Sequence, residues 1–151
     1  VHGSRGLGDV YKRQSIMKRF YNKAIFALRP NAQFVQRGST YSGLEWLDTT
    51  SKKPTEQEIE NKIQEIKAAE PMRVLRIERN RRLAEADWVT LKAYSQGVEV
   101  PPIWKNYMQA LRDLPYVCIH MTDDVPKLDE QGNLINVPWP DVPQPHHMKD
   151  Y

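Results

Sequence analysis

Two amphipathic segments on either side of a proline-containing loop place the strongest constraint on the fold. Residues 76–88 read RIERNRRLAEADW and residues 103–114 read IWKNYMQALRDL, with apolar side chains at helical spacing in both. Trp88 closes the first segment and Trp104 lies near the start of the second. Because each indole can bury roughly 150–250 Å², the sequence predicts that loop 89–102 folds back and that the two helices form a hairpin.

The clearest helix start lies earlier, in residues 54–70. Thr55 can cap the helix through its hydroxyl, and Glu58 can reach back to the cap N–H. An apolar stripe follows at i, i+4 and i+7, namely Ile59, Ile63 and Ile66. Pro71 then lacks a backbone N–H and clashes with the preceding turn. We therefore predict a break near Glu70 or a kink, and two helices rather than one rod.

The N-terminal region predicts a small helix followed by a hairpin. Residues 17–28 have helical apolar spacing and stop before Pro30, although aromatic and β-branched side chains leave a strand as the alternative. Two short strand-like runs, 33–37 and 44–48, flank GSTYSG. Gly38 and Gly43 can adopt the positive backbone angles of a tight connection.

The first sixteen residues look foreign to the protein. Back-translation of residues 4–14, SRGLGDVYKRQ, matches a common transposase sequencing adapter in frame, so we expect residues 1–16 to be an adapter and upstream artefact and Met17 to be the start. The whole chain has 22 Lys and Arg against 19 Asp and Glu, and without residues 1–16 the counts are 19 against 18. Most of the basicity, and of the case for a nucleic-acid partner, then disappears.

The C-terminal part is predicted to be extended. Residues 116–122 form a β-leaning run after Pro115, and a turn is expected at residues 131–133. Leu134, Val137 and Trp139 could hold this arm on the helices. Residues 144–151 are predicted to be a flexible tail.

Three blocks in this order resemble the bacteriophage tail assembly chaperone family. They are R-N-R-x-L-A-x-x-D-W from Arg79 to Trp88, W-x-x-Y-x-x-A-L-R-D-L-P from Trp104 to Pro115, and W-P-x-x-P from Trp139 to Pro143. The resemblance covers residues of about 73–143 and implies a protein that assists phage tail assembly. A weaker resemblance, over residues 29–58, is to the phage-derived XkdW family, whose members are encoded among tail genes.

These observations predict an α+β fold with four parts. Residues 1–16 are the expected artefact, residues 17–52 a small N-terminal helix plus β-hairpin, residues 53–143 a mainly helical, chaperone-like domain with a helix hairpin and an extended C-terminal arm, and residues 144–151 the tail. Whether the N-terminal unit is separate stays open.

No sequence pattern indicates catalysis. The chain has no phosphate-binding loop, dinucleotide fingerprint, H-E-x-x-H or G-x-S-x-G. Cys118 and His120 could share a strand face but lack a third orienting group. We therefore predict no enzyme activity, no cofactor and no metal site. A single cysteine fits a reducing cytosol, and the longest apolar run is far shorter than the ~20 residues of a membrane helix.

The leading hypothesis is a non-enzymatic chaperone that binds a phage tail structural protein in the host cytoplasm. The alternatives are a minor structural protein of the tail or its fibres, retained in the virion, and, more weakly, a nucleic-acid-binding module using the arginines of residues 73–82. Interleaved glutamates favour an ion-paired, solvated face instead. The candidate motif and partner-binding residues are Arg79, Asn80, Asp87, Trp88, Trp104, Tyr107, Leu111, Arg112, Asp113 and Trp139.

Overall fold

The computed structural model describes residues 2–144, with side chains from residue 6 onwards. Its described part contains three α-helices, α1 (His2–Leu28), α2 (Glu56–Gln96) and α3 (Pro102–His120). Two antiparallel pairs of short strands complete it: β1 (Phe34–Gln36) with β2 (Leu44–Trp46), and β3 (Lys127–Leu128) with β4 (Leu134–Ile135). The predicted α+β class with a mainly helical C-terminal region is confirmed. The chain divides into two compact units, Val1–Ala69 and Glu70–Tyr151.

The core of the first unit joins α1, the β1–β2 hairpin and the start of α2. Its buried members are Tyr21, Ala24, Ile25, Leu44, Ile59 and Ile63. The i, i+3, i+4 spacing on α1 and the i, i+4 spacing on α2 place these side chains on single faces. The structure thus selects helix over strand for residues 17–28, with the predicted end before Pro30. The helix also extends back to His2, but every side chain from residue 6 to residue 16 is exposed.

The β1–β2 hairpin forms where it was predicted, in the register Phe34↔Trp46 and Gln36↔Leu44. Gly38 has the expected positive φ of 75°. The prediction for Gly43 was wrong, because its φ is not positive. A side chain is excluded there because an added Cβ would lie 1.7 Å from the carbonyl oxygen of Arg37. Close backbone approach, rather than a left-handed angle, requires this glycine.

The start of α2 is a capping box. The Thr55 hydroxyl accepts from the Glu58 N–H at 3.1 Å, and the Glu58 carboxylate accepts from the Thr55 N–H at 2.7 Å. These bonds satisfy two groups that a helix end otherwise leaves unpaired. The same Thr55 N–H bond is the main reason why the pKa of Glu58 is lowered. The sequence prediction for this helix start is confirmed.

Of the alternatives predicted at Pro71, the break near Glu70 and the two separate helices were wrong, whereas the kink stays a prediction. Helix α2 is continuous through Pro71, from Glu56 to Gln96. Proline removes a single i→i−4 bond and costs about 3 kcal/mol in a helix interior. Buried side chains on both sides of Pro71, Ile63 before it and Leu75 after it, stabilise the flanking turns. Packing therefore outweighs a local preference for a break.

The helical hairpin of the second unit is confirmed, but its loop is shorter than predicted. Helix α2 ends at Gln96 and α3 begins at Pro102, so the loop covers residues 97–101 rather than 89–102. Val89 and Ala93 are 0% and 2% exposed and continue the apolar face of α2. Gly97, with φ 67°, supplies the left-handed residue that ends the helix. Pro102 occupies the first turn of α3, as predicted.

The prediction of a strand-like run after Pro115 was wrong, since α3 continues to His120. Leu114 and Cys118, four residues apart, are both buried in a cluster with Leu75. The two side chains can both reach this cluster only if the helix continues past Pro115. The following arm folds as predicted around a turn at Gly132, whose φ is 83°. Its β3 and β4 strands pair across that turn.

The turn of the arm is fixed by Asp129. Its carboxylate accepts from the Gln131 N–H at 2.9 Å and the Asn133 N–H at 2.8 Å. These bonds lower the pKa of the Asp129 carboxyl, and the bond from the Asn133 N–H contributes most. The predicted flexible tail lies outside the described residues except for Gln144, which belongs to the arm.

Candidate binding groove on the helical hairpin

Three aromatic side chains from α2 and α3 form the centre of the candidate site. The Trp88 and Trp104 rings meet edge to face with centroids 5.8 Å apart, and Trp104 meets Tyr107 at the same distance. Trp104 and Tyr107 are 4% and 6% exposed, whereas Trp88 remains 45% exposed. Edge-to-face pairs of this kind contribute roughly 0.5–1.5 kcal/mol beyond their buried area. The cluster is thus anchored at Trp104 and open at Trp88.

The site rests on the main core of the second unit. Leu111 is completely buried and packs with Ala86, Val89 and Met108 in the same cluster as Trp104 and Tyr107. The apolar positions of α3 recur at i, i+3, i+4 and i+7, so one face of the helix supplies both core and aromatic cluster. Leu111 therefore packs against the aromatic cluster in the core, and it does not line the groove.

The C-terminal arm is held against α2 through Trp139. The Arg82 guanidinium lies 4.1 Å from the centre of the Trp139 ring, a cation–π contact. Trp139 also packs against both buried clusters of this unit. The prediction that Leu134, Val137 and Trp139 hold the arm on the helices is confirmed. Sequence reasoning missed Arg82 as the other half of this contact.

A groove opens beside Trp88, between the helices and the end of the arm. Its volume is about 340 Å³. The helices contribute Arg82, Glu85, Ala86, Trp88, Trp104 and Tyr107, and the arm contributes Val142, Pro143 and Gln144. A second depression of about 690 Å³ lies against the same three arm residues and Tyr107, and extends to Ile103 and Ala110. Residues 142–144 thus form a shared wall between two hollows.

The indole N–H of Trp104 is an unsatisfied donor in this region. The Nε1 atom is buried and has no acceptor in the part of the chain that the structure describes. Tryptophan N–H groups usually find a partner when buried, and leaving a buried donor unpaired costs roughly 1–3 kcal/mol. This donor lies beneath the wall of the groove, in a side chain that is 4% exposed.

The arginine-rich face of α2 is ion-paired. Glu78 accepts from Arg81 at 2.6 Å and from Arg82 at 3.1 Å, and Arg81 also bonds Glu85. Arg73 pairs with Glu70 at 2.6 Å. These contacts lower the pKa of Glu78 to about 2, and the hydrogen bond from Arg81 contributes most. This network supports the solvated, ion-paired interpretation of the face over a phosphate-binding one.

The other motif residues lie apart from the groove. Arg79 donates to its neighbour Asn80 at 3.2 Å and 3.1 Å. Asp87 and Arg112 line a separate hollow of about 460 Å³ between α2 and α3, yet no ion pair joins them. Asp113 accepts from Gln109 at 2.9 Å. Neither Arg112 nor Asp113 therefore pairs with Asp87 or Arg79 across the hairpin.

The structure brings together a subset of the predicted residues. Trp88, Trp104 and Tyr107 line one groove, Trp139 anchors the arm that closes it, and Leu111 supports them. Sequence reasoning missed Glu85 and Val142, which line the same groove. Pro143 was recognised as part of the W-P-x-x-P block, but its burial against the groove was not foreseen. Glu85 lies three residues before Trp88, a spacing that places both side chains on the same face of a helix, and this could have indicated that Glu85 lies beside Trp88.

Cys118 and His120 do not form a catalytic pair. They lie on a helix rather than a strand, where residues two apart face different directions. Cys118 is buried, which raises the pKa of its thiol. His120 is exposed and its ring lies 4.5 Å from that of Tyr116. Among residues 2–144 no group of three or more His, Cys, Asp or Glu side chains is placed to hold a metal ion.

The fold and the groove define a helix-hairpin domain that carries an aromatic groove closed on one side by its own C-terminal arm. Residues 72–144 match the family model described as phage tail assembly chaperone protein. This match supports the resemblance that the three sequence blocks carry. No curated protein and no solved structure matches the chain. The described helices include none with the length and apolarity that spanning a membrane requires.

Proposed function

We propose that this protein is a non-enzymatic chaperone that binds a phage tail structural protein in the host cytoplasm during virion morphogenesis. The match of residues 72–144 to the tail assembly chaperone family supports a role in tail assembly. The proposal adds that the protein binds its client directly, and that the groove beside Trp88 is the contact surface.

The observation that carries the proposal is the half-exposed indole of Trp88. It lies on a rigid base of buried Trp104 and Tyr107 and lines a groove of about 340 Å³. Partly exposed tryptophans packed against fixed neighbours are typical anchors of protein–protein contacts. Apolar grooves of this kind suit a factor that shields an apolar segment of its client before assembly.

The ion-paired arginine face argues against nucleic acid as the partner. Arg81 and Arg82 both bond Glu78, and Arg81 also bonds Glu85, so two carboxylates compensate these two charges. A phosphate backbone would have to compete with these carboxylates, and its binding would weaken steeply with salt. The proposal therefore predicts no salt-sensitive retention on a nucleic-acid column.

Co-expression tests the proposal. The tagged chain is expressed with each tail structural protein encoded beside it, and the soluble complexes are recovered and identified. We expect one tail protein to co-purify and to become more soluble. Trp88→Ala should reduce recovery at least ~10-fold, as truncation of a hot-spot residue does. Tyr94→Ala is the matched control, because Tyr94 is 86% exposed on the same helix and lines none of the described hollows.

Two results would contradict the proposal. One is that no tail protein is recovered with the wild-type chain. The other is equal loss of recovery in Trp88→Ala and Tyr94→Ala. Mass spectrometry of purified virions separates a chaperone, which leaves the particle, from a minor structural protein of the tail, which remains in it.

A further inference from the structure

We propose that the groove beside Trp88 recognises an extended, proline-containing segment of the client, and that the chain's own residues 142–144 occupy one side of the groove in the same manner. This inference rests on the proposed function and names the chemistry of the partner. The features that support it are the aromatic walls of the groove and a proline of the arm already in place.

The arm supplies the first argument. Its sequence from residue 138 to residue 144 is PWPDVPQ, and none of these residues is helical or in a strand. Trp139 contacts Arg82, while Pro143 is buried and lines the groove beside the aromatic cluster. The groove is therefore partly built from a proline-rich segment. A surface that accepts one such segment offers the same chemistry to a second.

The aromatic walls supply the second argument. Trp104 stands at 73° to Trp88 and at 87° to Tyr107, so the three rings present faces and edges at nearly right angles. Proline-rich segments dock in grooves lined by aromatic rings because their stiff, extended backbone loses little entropy on binding. A volume of about 340 Å³ is at the small end of the ~300–1,000 Å³ range of binding pockets. It therefore suits a few residues of extended chain rather than a whole helix.

Hydrogen bonding supplies the third argument. An extended proline-rich backbone has no internal hydrogen bonds, so its carbonyls can stay in contact with water at the open side of the groove. Proline has no N–H of its own, so its burial in an apolar groove leaves no unpaired backbone donor. A proline can therefore pack beside Trp88 without the cost that an unsatisfied backbone donor would add.

The charged side chains at the rim of the groove favour an uncharged segment. Arg82 is bonded to Glu78 and contacts Trp139, and Glu85 is paired with Arg81. A charged ligand would have to break one of these contacts. Proline and aliphatic side chains make no such demand, and they match Val142 and Pro143 of the arm.

A peptide titration tests this inference. The probe is a synthetic, end-capped peptide of sequence PDVPQP, which reproduces residues 140–145 and contains no fluorescent side chain. Indole N–H signals of the ¹⁵N-labelled full chain report binding, since its four tryptophans give four resolvable probes. The peptide is added to the wild-type chain and to a full-length Val142→Ser, Pro143→Ser variant whose own arm is weakened at the groove.

We expect the Trp88 and Trp104 signals to move on titration, while that of Trp46, in the first unit, stays in place. A short tether supplies an effective concentration of about a millimolar, so a peptide with a Kd in this range meets measurable competition from the arm. We therefore expect millimolar binding to the arm variant and about two-fold weaker binding to the wild-type chain. If the arm variant does not fold, the wild-type titration at saturating peptide decides alone. Trp88→Ala should abolish the response of Trp104, and Tyr94→Ala should retain it.

Unmoved Trp88 and Trp104 signals would overturn the inference. So would an equal response to the same peptide with every proline replaced by alanine. The result is separable from the proposed function. Capture of a tail protein without any peptide response would refute only the proline chemistry, whereas a peptide response without capture of a tail protein would refute only the chaperone proposal.

Discussion

Truncation of Leu111 to alanine should destabilise the second unit by about 3–4 kcal/mol, because this side chain is 0% exposed at the α2–α3 contact. It packs with Ala86, Val89 and the aromatic cluster, so neighbours cannot easily collapse into the cavity. That loss is a large part of the ~5–15 kcal/mol that usually stabilises a domain. In a unit of this size the midpoint of thermal unfolding should fall by on the order of 20 °C.

Urea unfolding of the full chain measures this loss. Tryptophan fluorescence reports mainly on the second unit, which contains three of the four tryptophans, whereas circular dichroism reports on both units. Two probes are needed because a chain with two units need not unfold in one step. The matched control is Leu91→Ala on α2, whose side chain is 67% exposed and should cost no more than about 0.5 kcal/mol. A cost below about 1 kcal/mol for Leu111→Ala, or equal costs for both leucines, would refute the buried hairpin interface.

Three further changes test other parts of the structure. Glu78→Gln should cost about 1 kcal/mol at pH 7, because the carboxylate bonds two arginines in a partly screened site. The pKa of Glu78 in the folded chain is about 2, below the ordinary 4.5, so the extra stability of the wild-type chain should be complete above pH 4.5 and vanish toward pH 2. Urea unfolding at a series of pH values should therefore show the midpoints of the two chains converging as the pH falls. Thr55→Ala should cost about 1 kcal/mol by loss of the cap, measured by urea unfolding, whereas Thr55→Ser should cost far less. Deletion of residues 1–16, the expected artefact, should leave the thermal midpoint unchanged within about 2 °C, since side chains 6–16 bury nothing; a large fall would show that they belong to the fold.

Features decided within a few residues could be predicted from the sequence. The capping box at Thr55, the turn at Gly132 and the end of α1 before Pro30 each depend on local hydrogen bonding or a backbone angle. The helical hairpin was also predictable, because apolar spacing on α2 and α3 marks a buried face on each. These are features in which local preference and tertiary packing agree.

The predicted break near Glu70 and the predicted strand-like run after Pro115 failed for one reason. Pro71 and Pro115 each cost one backbone bond, and local rules place a helix end at such residues. In the structure α2 and α3 continue because Leu75 lies buried after Pro71 and Cys118 after Pro115. Local rules do not weigh a cost of about 3 kcal/mol per proline against burial that depends on the partner element. The same limit explains the loop, where buried Val89 and Ala93 extend α2 beyond Trp88.

The groove shows why a binding surface is harder to derive than a fold. Its walls come from three separate stretches of chain, around residues 82–88, 104–107 and 142–144, and no one of them has a recognisable binding pattern. Spacing predicts which side chains of a helix are buried, but it does not predict that burial stops halfway at Trp88. That partial exposure arises because Trp104 and Tyr107 of α3 are buried against α2, while the arm, fixed by Trp139 on Arg82, passes to one side of Trp88. Trp139→Leu removes the cation–π contact that fixes the arm and should therefore alter the groove, at some cost to the packing of both buried clusters beneath it.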